Sequence, residues 1–272
     1  FKDYRDTKKI VFDSLGKNSF ALINRDDRNA EYMIQNTKAK IYTYSLKSKS
    51  NFSCRIIEQQ LDGMLLSIDN SEIWTKLIGK FNASNILAIY SVGRIYNLDK
   101  INLLTGISNL ESVVGRLQFF LSINKVTVII DYAHTPDAIE NVISTINNIK
   151  KSNQNLITVI GCGGDRDKDK RAIMGKISTD LSSRVIFTSD NPRSENPQSI
   201  IDDMVQGVSN FNNDKFLIEV ERKKAIKQAK ENSVKGDIVL IAGKGHEDYQ
   251  ELRNNKRVYF DDYKIAKEIF NK

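Results

Sequence analysis

From Arg116 onward, short apolar runs alternate with amphipathic stretches at a regular spacing. The runs predict strands at about 127–130, 156–160, 185–188, 216–218 and 238–241. The stretches between and after them predict helices at about 137–150, 169–181, 198–208, 223–232 and 262–270. Strands that are apolar throughout belong to sheets covered on both faces. Alternating strands and helices imply right-handed crossovers and a mostly parallel sheet. Thr135-Pro136 and Asn196-Pro197 each place a capping side chain before a proline at the first helical position.

The first hundred residues follow a different rhythm. A strand at 20–23 precedes a helix capped by Asp26-Asp27 and running to about Asn36. Strands follow at 41–44, 54–59 and 64–68, with Asp62-Gly63 as a hairpin turn. Gly79-Lys80-Phe81-Asn82 opens an apolar helix over 85–95, and a second helix covers 98–107. Val113-Val114-Gly115-Arg116 breaks the pattern, so two domains are expected, 1–111 and 112–272.

Four polar clusters stand at strand ends of the second half. They are Asp131-Tyr132-Ala133-His134-Thr135-Pro136-Asp137, Gly161-Cys162-Gly163-Gly164-Asp165-Arg166-Asp167, Ser189-Asp190-Asn191-Pro192-Arg193 and Gly243-Lys244-Gly245-His246-Glu247-Asp248. In an open α/β sheet, ligands bind beyond the carboxyl ends of strands, so four such loops predict one convergent site. The glycines of the second cluster let amide groups approach an anion, and Arg166 adds a bidentate donor. Asp190, Asn191 and Arg193 sit on a proline-stiffened loop; Arg193 suits a carboxylate. Glu247 suits an ammonium group, and Asp131 could accept ribose hydroxyls. Each cluster alone could be a turn, a cap or a solvated charge run. Their shared position on one rim favours function.

Composition narrows the classes. Lys and Arg exceed Asp and Glu by 41 to 34, a balance that favours anionic partners, although Lys-, Asn- and Ile-rich usage accounts for much of it. No basic block with interleaved aromatics appears, so nucleic-acid binding is not expected. Cys54 and Cys162 provide no disulfide framework and fit a reducing compartment. No apolar run reaches membrane-spanning length, and no signal peptide opens the chain. Zinc-ligand spacing, a G-x-S-x-G elbow and a G-x-x-x-x-G-K-[ST] phosphate loop are all missing.

The segments DYAHTPDA from Asp131, GCGGDRDKDKR from Gly161, DNPRSENP from Asp190 and AGKGHEDYQ from Ala242 resemble the Mur ligases of peptidoglycan synthesis. Weaker likenesses are YRDTKK, GKFNASN and GRL. The resemblance implies an α/β chain with a Rossmann-like carboxy-terminal domain, mostly parallel, preceded by the second half of a central ATPase domain. On that reading the abrupt, Met-less start at Phe1 and the missing phosphate loop mark a fragment.

The implied reaction uses ATP and Mg2+ to join an amino acid to a UDP-N-acetylmuramoyl dipeptide through an acyl phosphate. Lys8 would be the carbamylated lysine that bridges magnesium, with Lys9 as the adjacent alternative. Asn82, Asn85, Arg116, Asp131 and His134 would serve the nucleotide. Arg166, Asp190, Asn191, Arg193, Gly243 and Glu247 would form the amino-acid pocket. Arg193 points to meso-diaminopimelate, whose distal carboxylate it would clamp while Glu247 and the Gly243 carbonyl take the ammonium. Leu117-Gln118 departs from the Met-Glu common in relatives. The alternatives are a lysine-adding ligase, a folylpolyglutamate synthase and, for the fragment alone, a non-catalytic binding module. A cytoplasmic monomer with no membrane partner is expected.

Overall fold

A computed structural model describes residues 2–209 and 214–272. The chain divides into two compact units, one ending at Glu111 and the other beginning at Ser112.

The first unit contains α1 (Lys2–Asp13), β1 (Phe20–Asn24), α2 (Ala30–Met33), β2 (Lys40–Ser45), β3 (Phe52–Gln60), β4 (Gly63–Ile68), β5 (Ser71–Thr75), α3 (Lys80–Ile95) and α4 (Lys100–Ser108). Its five strands lie in chain order: β1, β2 and β3 are parallel, and β3, β4 and β5 antiparallel. Met64, Leu66 and Ile68 alternate onto the face that packs against Ala83, Ile86, Leu87 and Tyr90 of α3. A one-residue slip would turn those three apolar side chains to the opposite face, which fixes the register. The helix expected from Asp26 to Asn36 shrinks to four residues. Asp26 is the reason: its carboxylate accepts from Ser45 Oγ (2.5 Å) and Leu46 N (2.8 Å), so it braces a loop instead of capping.

The second unit contains β6 (Gln118–Leu121), β7 (Thr127–Asp131), α5 (Pro136–Ile149), β8 (Leu156–Ile160), α6 (Asp169–Leu181), β9 (Arg184–Phe187), α7 (Pro197–Val205), β10 (Phe216–Ile218), α8 (Arg222–Glu231), β11 (Ile238–Ala242), β12 (Tyr249–Leu252), β13 (Lys256–Tyr259) and α9 (Asp262–Phe270). The large sheet runs β10-β9-β8-β11-β7-β6, parallel except for β6 at one edge. Every residue of β7, β8 and β11 is buried, as their unbroken apolar runs require. Val128, Ile130, Ile157, Val159, Val239 and Ile241 face Ala225, Ile226 and Ala229 of α8 and Ala266 and Phe270 of α9. The intervening strand residues therefore face the opposite layer. β6 and the β12–β13 hairpin were not legible as strands, because each strand is four residues long and buries none of them fully. No described helix is long and apolar enough to cross a membrane.

Candidate functional site

The last crossover inserts β11 between β8 and β7, although both precede it in the chain. This topology sets the carboxyl ends of β7, β8, β9 and β11 on one rim, with a crevice where the strand order reverses. A cavity of about 610 Å³ opens there, lined by residues of all four polar clusters and by Tyr249, Glu251 and Arg257 of the hairpin.

The loops after β8 and β9 are stitched together. Gly164 N donates to Asn191 O (2.9 Å), and Arg193 Nη1 donates to Gly164 O (2.8 Å). A Cβ on Gly164 would lie 2.0 Å from Pro192 O, so only glycine permits this approach. Beneath them, fully buried Arg171 donates to both Glu195 oxygens (2.8 and 2.9 Å), to Asp203 Oδ2 (2.8 Å) and to Gly163 O (3.3 Å). That contact holds the Glu195 carboxyl down at about 2. The dense charge run 165–171 therefore ends in a structural brace, not only in solvated surface.

The hairpin closes a third side. Arg193 N donates to Glu251 O (3.0 Å), Glu251 N to Asn191 Oδ1 (2.9 Å), and Gln250 Nε2 to Asp190 O (2.8 Å). On the fourth side, Arg222 and Asp262 form a fully buried bidentate pair (2.8 and 2.7 Å). Arg222 Nη2 also donates to Ala242 O (2.9 Å), anchoring the end of β11 just before Gly243. Gly243 has φ +115°, and a Cβ there would lie 2.5 Å from Asp190 Oδ2.

The cavity carries charges of both signs. Arg166, Lys170, Arg193 and Arg257 contribute cations; Asp190, Glu247 and Glu251 contribute anions. Arg166 makes no ion pair among the described residues, and its side chain is exposed. A cup that presents charges of both signs suits a zwitterion better than a simple anion.

Two stretches of the chain match descriptions of known domains. Residues 1–93 match the Mur ligase middle domain, and residues 115–245 match the Mur ligase glutamate ligase domain. The chain belongs to the Mur ligase family. A curated UDP-N-acetylmuramoyl-L-alanyl-D-glutamate–2,6-diaminopimelate ligase of Bacteroides thetaiotaomicron is 47% identical over 270 residues, covering 99% of this chain and 56% of that protein. The chain thus spans little more than half the length of the curated relatives it matches. A solved structure of a ligase of the same name superposes with TM-score 0.63 at 34% identity, covering 99% of this chain and 56% of that one. A folylpolyglutamate synthase from Thermotoga maritima reaches TM-score 0.63 at 17% identity over 84% of this chain and 52% of its own, a likeness of fold alone.

Within this Mur ligase chain, His134, Arg166, Asp190, Asn191, Arg193, Gly243 and Glu247 all line the one cavity. His134 Nδ1 donates to Tyr132 O (2.8 Å), which orients the ring. Asp131 is placed differently. Its carboxylate is buried and accepts from Leu117 N and Ala133 N (both 2.7 Å). Burial pushes its carboxyl up, against those two amides. It shapes the loop behind the rim. Arg116 lies with its guanidinium 4.9 Å from the Tyr132 ring centroid.

The residues of the first unit are described separately. Lys8 is exposed on α1, lines a cavity of about 290 Å³ and sits 4.5 Å from the Tyr4 ring centroid. Lys9 is buried and paired with Asp13. Asp27 is the sole carboxylate on the wall of that cavity, and no cluster of three His, Cys, Asp or Glu suited to a metal occurs among the described residues. A magnesium ion requires more oxygen ligands than this, so these residues do not by themselves fit the ion. Asn82 and Asn85 share a face of α3; Asn82 donates to Ile78 O (2.8 Å), and Asn85 is exposed.

Arg193 already has a partner within the chain: Nε meets Glu251 Oε2 at 2.9 Å, and the side chain is 23% exposed. Glu251 lies on the hairpin that the sequence pattern did not reveal, so the pairing could not be foreseen. Lys244 also escaped notice as a site residue. Its only signal was its place between two glycines at the end of an apolar strand.

Proposed function

We propose that this chain carries the amino-acid site of an ATP-dependent, amide-forming ligase that adds meso-diaminopimelate to UDP-N-acetylmuramoyl-L-alanyl-D-glutamate. The gathering of both signs of charge in one cup carries the reading. Diaminopimelate has two amino-acid centres; one amine must attack while the other centre is gripped. Arg166, Arg193, Gly243 and Glu247 all line that cup; the guanidinium groups suit the carboxylates, and Glu247 with the Gly243 carbonyl suits the ammonium. Lysine lacks the distal carboxylate and would leave Arg193 without a ligand partner. Folylpolyglutamate synthase chemistry is not favoured, since relatives at 44–47% identity carry the diaminopimelate name.

Activation of the substrate carboxylate as an acyl phosphate, with ATP and magnesium, is proposed for the whole enzyme. The 272 residues hold no G-x-x-x-x-G-K-[ST] loop, so the chain alone binds the amino acid without turning over ATP. Asn82, Asn85, Arg116 and His134 remain proposed nucleotide-side residues, with Asp131 shaping the loop that carries His134, and Lys8 remains the lysine proposed for carbamylation. A cytoplasmic location is in keeping with two buried free thiols, and a monomer is proposed. The test is Arg193→Ala in the full-length enzyme. Loss of a charge-assisted contact should raise the diaminopimelate KM about 10- to 100-fold and leave the ATP KM unchanged. Unchanged amino-acid kinetics would remove the assignment.

A further inference from the structure

Lys244 is fully buried, yet its ammonium group touches the proposed site from behind. Nζ donates to Asn191 Oδ1 (2.9 Å) and Glu247 Oε2 (3.2 Å) and lies 3.5 Å from Asp190 Oδ1. Asn191 completes the circuit: its Nδ2 donates to the same Glu247 Oε2 (2.8 Å). Asn191 Oδ1 also accepts from Glu251 N, so its amide orientation is dictated by partners on both atoms. Glu247, 19% exposed and on the cavity wall, therefore has Oε2 held twice from within.

The backbone forces this arrangement. Gly243 (φ +115°) and Gly245 (φ +54°) flank the lysine in left-handed conformations. The hook turns Lys244 inward instead of along the strand, and Glu247 N closes the turn on Lys244 O (2.9 Å). One cation faces two carboxylates, so this cluster keeps one negative charge in excess. An arriving ammonium group would complete the balance. A buried lysine without partners would be costly, which makes the three contacts a requirement of the fold as well as of the site.

We propose that Lys244 is a positioning residue that fixes Glu247, through Asn191 and directly, for recognition of the substrate's distal ammonium group. The inference rests on the function proposed above. Lys244 touches no substrate; it acts through Glu247.

The experiment is a double-mutant cycle in the full-length enzyme with Lys244→Met and Glu247→Gln, reading KM for meso-diaminopimelate, KM for ATP, and the preference for diaminopimelate over L-2-aminopimelate. That analogue lacks only the distal ammonium. Each single variant should raise the diaminopimelate KM about 10-fold or more and shrink the preference, with ATP KM unmoved. In the double variant, Lys244→Met should add less than about threefold to Glu247→Gln, because the group it positions is gone. Lys244→Gln provides the same comparison should the methionine variant fail to fold. Additive effects, an unchanged or lower KM in a Lys244 variant, or an equal rise in ATP KM would overturn the positioning role alone. If Glu247→Gln itself leaves the preference intact, the assignment of the pocket fails and the inference falls with it.

Discussion

Replacing Arg171 by methionine tests how the cup is held together. The guanidinium has no exposure and makes four hydrogen bonds to Glu195, Asp203 and Gly163, spanning the loops after β8 and β9 and helix α7. Methionine preserves much of the aliphatic volume, so the loss is electrostatic and not that of a cavity. Removing one partner of a buried ion pair costs about 3–5 kcal/mol. Here the abandoned side chains are 17% (Glu195) and 36% (Asp203) exposed, so water can rehydrate them. That lowers the expected loss to about 2–3 kcal/mol. Urea titration followed by far-UV circular dichroism measures it; alkylation of buried Cys162 marks the transition of the second unit. The pH dependence is a second readout. Glu195 is held at about 2 in the folded chain, below its ordinary 4.5. The stability its ionised form contributes is full above that ordinary value and drains away as pH falls towards about 2. The gap between native chain and variant should therefore narrow as pH falls below about 4.5. A loss under about 0.5 kcal/mol at neutral pH, or a gap that stays constant on acidification, would refute the reasoning.

Gly243→Ala should lower the thermal midpoint by several degrees, since it combines a left-handed φ with a contact of 2.5 Å to Asp190, together costing about 1–3 kcal/mol; calorimetry should also show weaker diaminopimelate binding, and an unaltered scan would contradict the strain. Burial pushes the thiols of Cys54 and Cys162 up to about 12, so both should resist a disulfide reagent at pH 8 until urea is added. Rapid native-state reaction of either, traced by peptide mass, would show that its pocket opens.

What could be read from the chain depended on how locally each feature was encoded. The 127–130, 156–160 and 238–241 runs announce β7, β8 and β11 because burial on both faces demands unbroken apolar residues. Thr135 and Asn196 likewise act as helix caps, accepting from Ala138 N and Gln198 N. β5 and the β12–β13 hairpin were missed, since each strand is only four or five residues long and at most one of them is buried. Asp26 looked like a helix cap but serves Ser45 and Leu46, roughly twenty residues away.

The same boundary runs through the site. Sequence alone determined which polar residues stand at strand ends, because strand, turn and helix signals lie within a few neighbours of one another. It also carried enough likeness to place the chain among the Mur ligases. Only the tertiary structure decided which carboxylates face the cavity and which are used internally. Asp131 turns back to two amides, Glu195 is taken by Arg171, and Arg193 is partnered by Glu251 of an unforeseen hairpin. A side chain's direction depends on partners brought near by the crossover of β11, and no local pattern encodes a partner 24 or 58 positions away.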